Sequence, residues 1–334
     1  MRPMLIDADK RLVESVGTGD RRALAKAITL LESTQPQHQE RASAVLDALL
    51  PRTGNSLRLG ISGAPGVGKS TFIETLGLTL IAQGNRVAVL AVDPSSTVTG
   101  GSILGDKTRM ERLSMSDAAF IRPTPSSGAL GGVAERTRET ILLCEAAGFD
   151  VVLVETVGVG QSEIAAAGMT DLFVLLQQPN AGDDLQAMKK GVMERADIVV
   201  VNKADLDDTA AARAELQIAG ALRALQASGN PARAEANAIN PVLRLSAQTG
   251  AGMDAFWKQV SELHAARRAD GRCAARRREQ ALNWMWELVN ANLLAEFRRH
   301  PAVSAALPET LAAVTRAELA PASAARALLD LFGS

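Results

Sequence analysis

The 334-residue sequence predicts an α/β fold built on a mainly parallel sheet, with helices at both ends of the chain. Three observations carry that expectation. Six short runs rich in Val, Ile and Leu recur between residues 57 and 246, and most lack polar alternation. Such runs are strands buried on both faces, as parallel strands are when helices cover both sides of a sheet. Helical stretches separate them, giving βαβ units with right-handed crossovers. The first run also leads straight into a Gly-rich turn that opens a helix.

In chain order, residues 1–55 read as helical. Asp20 is a candidate N-cap for a helix that places Leu24, Ile28 and Leu31 on one face. A second helical stretch, near 37–50, carries Val45, Leu46, Leu49 and Leu50, and Pro51 helps end it. The six strand runs are 57–62, 86–92, 150–155, 171–177, 197–202 and 241–246. Between the second and third lies a Gly/Ser/Pro-rich stretch, 93–132, too long for an idle connection and read as a functional loop region.

Residues 252–334 return to helix. Over 276–300 the apolar positions Leu282, Met285, Leu288, Val289, Leu293 and Phe297 cover more than one stripe. Trp284 and Trp286 fall on different sides, so the helix is expected to bury surface against another chain as well as its own. An Ala-rich helix over about 309–331 closes the chain. The expected organisation is an N-terminal helical extension (1–55), a central α/β domain (56–265) and a C-terminal helical region (266–334).

Composition narrows the function classes. Lys+Arg is 36 and Asp+Glu 37, a balance that gives no global pull toward nucleic acid or anionic membrane. Aromatics are 3% with no Tyr, too few for a platform that stacks single-stranded bases. The two cysteines, Cys144 and Cys273, form no disulfide framework. No secretory signal is read at the N-terminus, and the apolar runs fall short of the roughly 18 residues of a membrane span. A cytoplasmic location, with neither nucleic acid nor membrane as partner, is expected.

The first strand enters Gly63-Ala64-Pro65-Gly66-Val67-Gly68-Lys69-Ser70, then Thr71 and a helix, which matches G-x-x-x-x-G-K-[ST] in its required context. Glycines let backbone N–H groups point into one concavity, at the positive end of the following helix. Lys69 would reach the β- and γ-phosphates and Ser70 would ligate Mg²⁺.

The fifth run ends in Asn202-Lys203-Ala204-Asp205, an N-K-x-D pattern. Guanine offers N1–H and N2–H₂ as adjacent donors, and the Asp205 carboxylate can accept both; adenine has no such pair. Asn202 would approach O6 and brace neighbouring loops, while the Lys203 stem packs on the base plane. A second base loop, Ser246-Ala247-Gln248, follows the sixth run. The three motifs together point to bound GTP or GDP.

Mg²⁺ is held by few protein oxygens plus phosphates and water. Asp93, Asp106 and Glu155 are the candidates beside Ser70. Glu155 ends the third run in Glu155-Thr156-Val157-Gly158, where Gly158 would donate its N–H to the γ-phosphate and release the segment on hydrolysis. Lys69, Glu155 and Gln161 form the candidate catalytic set, with Gln161 as the water-positioning group. No arginine finger stands out among Arg109, Arg136 and Arg138, so slow intrinsic hydrolysis accelerated by a partner is expected. A charged run, 178–191, with Asn180, Asp183, Asp184, Gln186, Lys189 and Lys190, reads as a further moving segment.

GAPGVGKSTFIETLG, VLAVDPSSTVTGGSILGDKTRM, FIRPTPSSGALGGVAERTRE, VETVGVGQSE, QQPNAGDDLQAMKKG and VNKAD together resemble the MeaB/ArgK group over nearly the whole chain. The resemblance implies a P-loop GTPase domain of the metallocentre-assembly type with a C-terminal helical dimerisation arm, acting as a homodimer. It implies an accessory chaperone that gates adenosylcobalamin loading onto an acyl-CoA mutase, methylmalonyl-CoA mutase foremost, with a cobalamin adenosyltransferase as a further partner. It also implies the Mg-nucleotide roles of Lys69, Ser70, Asp93, Asp106 and Glu155, the guanine roles of Asn202, Lys203 and Asp205, and a third switch at 178–191. Gln177-Gln178-Pro179-Asn180 is more polar than the lead-in such a switch usually has. No Asp-x-His-x-x-Gly cobalamin signature occurs, so no directly bound cobalamin is expected.

Three other readings compete. A metal-inserting GTPase would usually carry His-rich or Cys-rich tracts, whereas His38, His264 and His300 are scattered. A transport-system-associated kinase would need catalytic-loop motifs that are absent here. A pure interaction module with a vestigial site sits badly with intact Lys69, Ser70 and Asp205.

Overall fold

A computed structural model describes residues 5–93, 110–125, 130–156, 162–179, 190–227 and 240–333. The chain divides into two compact units, 1–277 and 278–334.

The first unit opens with three helices: α1 (Asp7–Gly17), α2 (Arg21–Glu32) and α3 (Pro36–Leu49). Asp20 caps α2 by accepting from Arg22 N at 2.7 Å and Ala23 N at 2.9 Å, and Leu24, Ile28 and Leu31 are buried beneath it. Pro36 starts α3, where its missing N–H costs nothing.

The sheet follows: β1 (Leu57–Gly63), β2 (Val87–Asp93), β3 (Ala119–Pro125), β4 (Val151–Thr156), β5 (Leu172–Gln177), β6 (Ile198–Val201) and β7 (Val242–Arg244). Among the described residues it has seven strands in the order β3-β2-β4-β1-β5-β6-β7, every neighbouring pair parallel. The crossovers carry α4 (Lys69–Ala82), α5 (Glu111–Ser114), α6 (Leu130–Ala146), α7 (Ser162–Ala167), α8 (Lys190–Met193) and α9 (Asp208–Ala227). After β7 come α10 (Met253–Ala269) and the start of α11 (Arg272–Arg299).

The strands alternate between two cores, which explains their continuous apolar reading. Val152 and Val154 of β4 join Phe173, Leu175 and the buried faces of α2, α3 and α6. Val151 and Leu153 point the other way, with Leu59, Ile61 and the apolar side of α4 and α10. There Phe72 of α4 meets Phe256 of α10 edge-on, with ring centroids 5.1 Å apart.

Two elements depart from the sequence reading. The closing helix expected over about 309–331 is two, Pro301–Thr315 and Pro321–Gly333, with a non-helical turn between them. β3 lies inside the 93–132 stretch that reads as loop. Its Pro123 and Pro125 lack the N–H a central strand needs, but β3 pairs with β2 alone at the sheet edge, where that loss is tolerated.

At the opposite end from the glycine loop, ion pairs close the sheet. Arg277 grips Asp171 through Nε at 2.7 Å and a second guanidinium nitrogen at 2.6 Å, and Arg58 pairs with Glu145 at 2.7 Å. Arg267 reaches Asp197 at 2.7 Å. The Arg277 and Arg267 contacts fasten the first turns of α11 and the end of α10 to the starts of β5 and β6, and the Arg58–Glu145 pair fastens the end of α6 to the start of β1.

The second unit holds the rest of α11, α12 (Pro301–Thr315) and α13 (Pro321–Gly333). Its small core contains Val303, Ala324 and an edge-on pair of Phe297 with Phe332. Leu282, Met285, Trp286, Val289 and Leu293 of α11 are exposed, Trp286 at 59%.

Candidate nucleotide site

The site lies at the C-terminal ends of the strands, where β1 runs between β4 and β5. Open α/β sheets place ligands at this edge. Gly63 ends β1 so close to β5 that a Cβ would come within 2.5 Å of Leu176 O. Gly68, at φ +94°, is the left-handed residue from which α4 starts, and a Cβ there would meet Asn202 Nδ2 at 2.7 Å. Only glycine fits either place. Between them, Ala64 and Gly66 are exposed and Val67 is buried.

Lys69 and Ser70 open α4, with Thr71 next in the first turn. Lys69 Nζ arches over the loop and donates to Gly63 O at 2.8 Å and Ala64 O at 3.1 Å. Ser70 Oγ donates to Glu155 Oε1 at 3.4 Å, so β4 delivers a buried carboxylate beside the helix start. Behind it, Thr156 Oγ1 donates to Ser62 Oγ at 2.8 Å, a fully buried link between β4 and β1. Asp93 closes β2 one position beyond Val92, which faces Thr156 of β4, so its backbone stands on the same edge.

The base-reading motif follows β6. Asn202 is buried; its Nδ2 donates to Val67 O at 2.8 Å and its Oδ1 accepts from Ala247 N at 3.0 Å. One side-chain amide thus joins the phosphate loop to the second base loop. Lys203 adopts φ +61°, unusual for a residue with a Cβ, and its Nζ donates to Gly66 O at 2.7 Å. Its stem is thereby laid across the site. Such outliers gather at functional sites. Asp205 is exposed and, with Ser246, lines a shallow depression of ≈ 440 Å³. Ser246 is buried and its Oγ accepts from Thr249 N at 3.2 Å, which shapes the turn; Gln248 is exposed on it.

The fold therefore gathers Gly63 through Thr71 with Glu155, Asn202, Lys203 and Ala247, while Asp205 and Ser246 line a depression shared with Asp208, Glu215 and Arg244. Asp106, Gly158, Gln161, Asn180, Asp183, Asp184, Gln186 and Lys189 lie outside the described residues, and Lys190 is placed by its backbone at the start of α8. Sequence reasoning missed Thr75, whose hydroxyl reaches Ala247 O at 2.7 Å, and Gln178, whose Nε2 would lie 3.9 Å from a Cβ on Gly66. Both fall inside runs that carry the family resemblance, but Thr75 lies outside G-x-x-x-x-G-K-[ST] and Gln178 outside N-K-x-D, so the spacing assigns neither a role.

A second cluster lies at the other end of the sheet. Asp171, His264 and Cys273 bring three ligand-type atoms within 4.8 Å of one another. The carboxylate is already committed to Arg277 and to Arg58 N at 2.9 Å. Burial alone would raise the Asp171 carboxyl, but Arg277 and Arg58 hold it below the ordinary carboxylate value. Burial pushes His264 below its usual value and the Cys273 thiol up. Crowded by guanidinium groups, this cluster suits an ion-pair clasp better than a cation seat.

Comparisons with known proteins agree with this architecture. The family described as "Methylmalonyl Co-A mutase-associated GTPase MeaB" matches residues 24–302. The "GTPase ArgK" of Escherichia coli K12 is 47% identical, over 94% of this chain and 93% of that protein. The mouse "Methylmalonic aciduria type A homolog, mitochondrial" is 44% identical, over 99% of this chain and 82% of that protein. A crystal structure of a LAO/AO transport system kinase superposes with a TM-score of 0.77 at 37% identity, covering 99% of this chain and 100% of that one.

Proposed function

This chain belongs to the MeaB family of methylmalonyl-CoA mutase-associated GTPases, and from that premise we propose that it gates adenosylcobalamin loading on a methylmalonyl-CoA mutase or close relative. The chain is a GTPase, converting GTP and water to GDP and phosphate. The finer reading makes it a chaperone that protects or reactivates its mutase, with slow turnover alone and faster turnover when bound. The observation that best supports a guanine-nucleotide switch is the Asn202 bridge between Val67 O and Ala247 N, which holds the phosphate and base halves together.

In this reading the backbone N–H groups of Gly63, Ala64, Gly66, Val67 and Gly68, with Ser70 and Thr71, wrap the phosphates at the N-terminus of α4. Lys69 places its ammonium where charge builds on the β- and γ-phosphates during transfer. Asp205 accepts from guanine, with Lys203 over the base face and Ser246, Ala247 and Gln248 closing its edge. The Ser70 hydroxyl and Glu155 carboxylate, 3.4 Å apart, are hard oxygen donors of the type Mg²⁺ requires. They would hold the ion, with Asp93 and Asp106 as further ligands, and it would neutralise phosphate charge. Gly158 and Gln161 keep their proposed roles at the γ-phosphate and attacking water. Asn180, Asp183, Asp184, Gln186, Lys189 and Lys190 form the proposed segment facing the mutase.

We further assign residues 1–55 as a helical extension, 56–265 as the GTPase domain and 266–334 as a homodimerisation region. The exposed Leu282, Met285, Trp286, Val289 and Leu293 on α11 support a second copy as its partner. Among the described residues no helix is long and apolar enough to cross a membrane; the cytoplasm is the proposed compartment. A cobalamin adenosyltransferase is a proposed further partner, and the chain itself is proposed not to bind cobalamin.

Steady-state hydrolysis of GTP, with ATP as control, alone and with purified methylmalonyl-CoA mutase, tests this reading. Slow GTP turnover that rises sharply with the mutase is expected. Turnover indifferent to any adenosylcobalamin-dependent acyl-CoA mutase, with no complex in either nucleotide state, would overturn the gating role.

A further inference from the structure

Thr75 belongs to no nucleotide-binding motif. Threonines inside helices commonly turn the hydroxyl back onto the preceding turn, as Thr79 does on Thr75 O at 2.9 Å. Thr75 does otherwise: its Oγ1 donates to Ala247 O at 2.7 Å, across 172 positions of sequence. Ala247 is thereby held on both sides of the residue, since its own N–H donates to Asn202 Oδ1 at 3.0 Å. Asn202 Nδ2 donates on to Val67 O at 2.8 Å. Val67 leads through Gly68 directly into α4, the helix that carries Thr75. The four residues close a ring through phosphate loop, base turn, second base loop and helix.

The ring is packed as well as hydrogen-bonded. Ala247 is 2% exposed, and a Cβ built on Gly250 would lie 3.9 Å from Thr75 Cγ2, so the methyl lies close to the far side of the same loop. Without the hydroxyl, the carbonyl of the buried Ala247 would lose this donor.

We infer that Thr75 is a positioning residue for the nucleobase, setting the 246–248 loop against the phosphate loop without touching phosphate. The inference rests on the guanine-nucleotide reading above. It implies that the helix behind the phosphates contributes to base affinity.

The test uses the full chain with Thr75→Val, which keeps the shape and removes the hydroxyl, and Thr75→Ser, which keeps the hydroxyl. The readouts are affinity for fluorescent GDP and ADP, affinity for inorganic tripolyphosphate, and melting temperature. Thr75→Val is expected to weaken GDP about 3- to 10-fold, as loss of one hydrogen bond implies, with tripolyphosphate unchanged. Thr75→Ser should restore GDP binding. Unchanged GDP affinity in Thr75→Val, an equal loss for tripolyphosphate, or failure of a normally melting Thr75→Ser to restore binding would each overturn the role. A wild-type chain that binds tripolyphosphate but does not prefer GDP to ADP would instead overturn the guanine reading on which it rests.

Discussion

Asn202 donates its side-chain amide to the carbonyl of Val67 at 2.8 Å, tying the end of β6 to the phosphate loop 135 positions earlier in sequence. Both residues are buried. The same side chain accepts from Ala247 N, so its removal orphans a carbonyl and an N–H together.

Asn202→Ala should therefore lower stability, by about 1–3 kcal/mol for each buried group left unpaired, and should abolish tight GDP binding. Urea unfolding and nucleotide titration check this. A variant as stable as wild type would mean that water replaces the bridge.

Asp205→Asn should shift preference from GTP toward XTP. The amide presents a donor toward guanine N1–H but can face the extra carbonyl of xanthine. Competition binding with the two nucleotides reads the switch, and unchanged GTP preference would remove Asp205 from base recognition.

Lys69→Ala should weaken triphosphate binding and abolish turnover, because it removes an ammonium held 2.8 Å from Gly63 O and 3.1 Å from Ala64 O within the phosphate loop. Single-turnover GTP hydrolysis measures it. Normal turnover would exclude the proposed role.

Arg277→Met should cost about 3–5 kcal/mol at neutral pH, since Asp171 would keep a buried charge without its main partner. In the wild type, the depressed Asp171 pKa contributes stability above the unfolded carboxylate value, and that contribution disappears as pH falls through the folded value. In the variant, burial acts against the charged form, so the penalty should shrink as Asp171 takes up a proton. In the wild type His264 adds a second slope: burial lowers its folded pKa, with Arg277 among the cations that add to the lowering, so stability declines as pH falls below about 6.5. Urea melts of both proteins at pH 7 and pH 5 compare the difference; a penalty that grows on acidification would contradict this account.

Trp286→Glu should convert the proposed dimer to monomer while leaving GDP affinity unchanged, because Trp286 lies in the second unit and the phosphate and base loops lie in the first. Sedimentation velocity decides it. A variant still dimeric would move the interface off this face of α11.

The parts whose causes are local can be read from the chain alone. The Gly63–Ser70 loop was legible because its backbone needs glycines at fixed spacing, and Asp20, Leu24 and Ile28 because capping and helical period are read within a few residues. Buried parallel strands were equally plain as apolar runs, with β3 missed because its prolines make sense only at a sheet edge. Asn202, Lys203 and Asp205 are legible as a pattern, but not the hydrogen bonds that lock Asn202 to Val67 and Lys203 to Gly66. That Thr75 donates to Ala247 O and that Arg277 holds Asp171, 106 positions away, emerges with the three-dimensional arrangement. Such partners are set by how strand ends and helix ends converge in space, and local periodicity carries no trace of which distant carbonyl or carboxylate a side chain will meet.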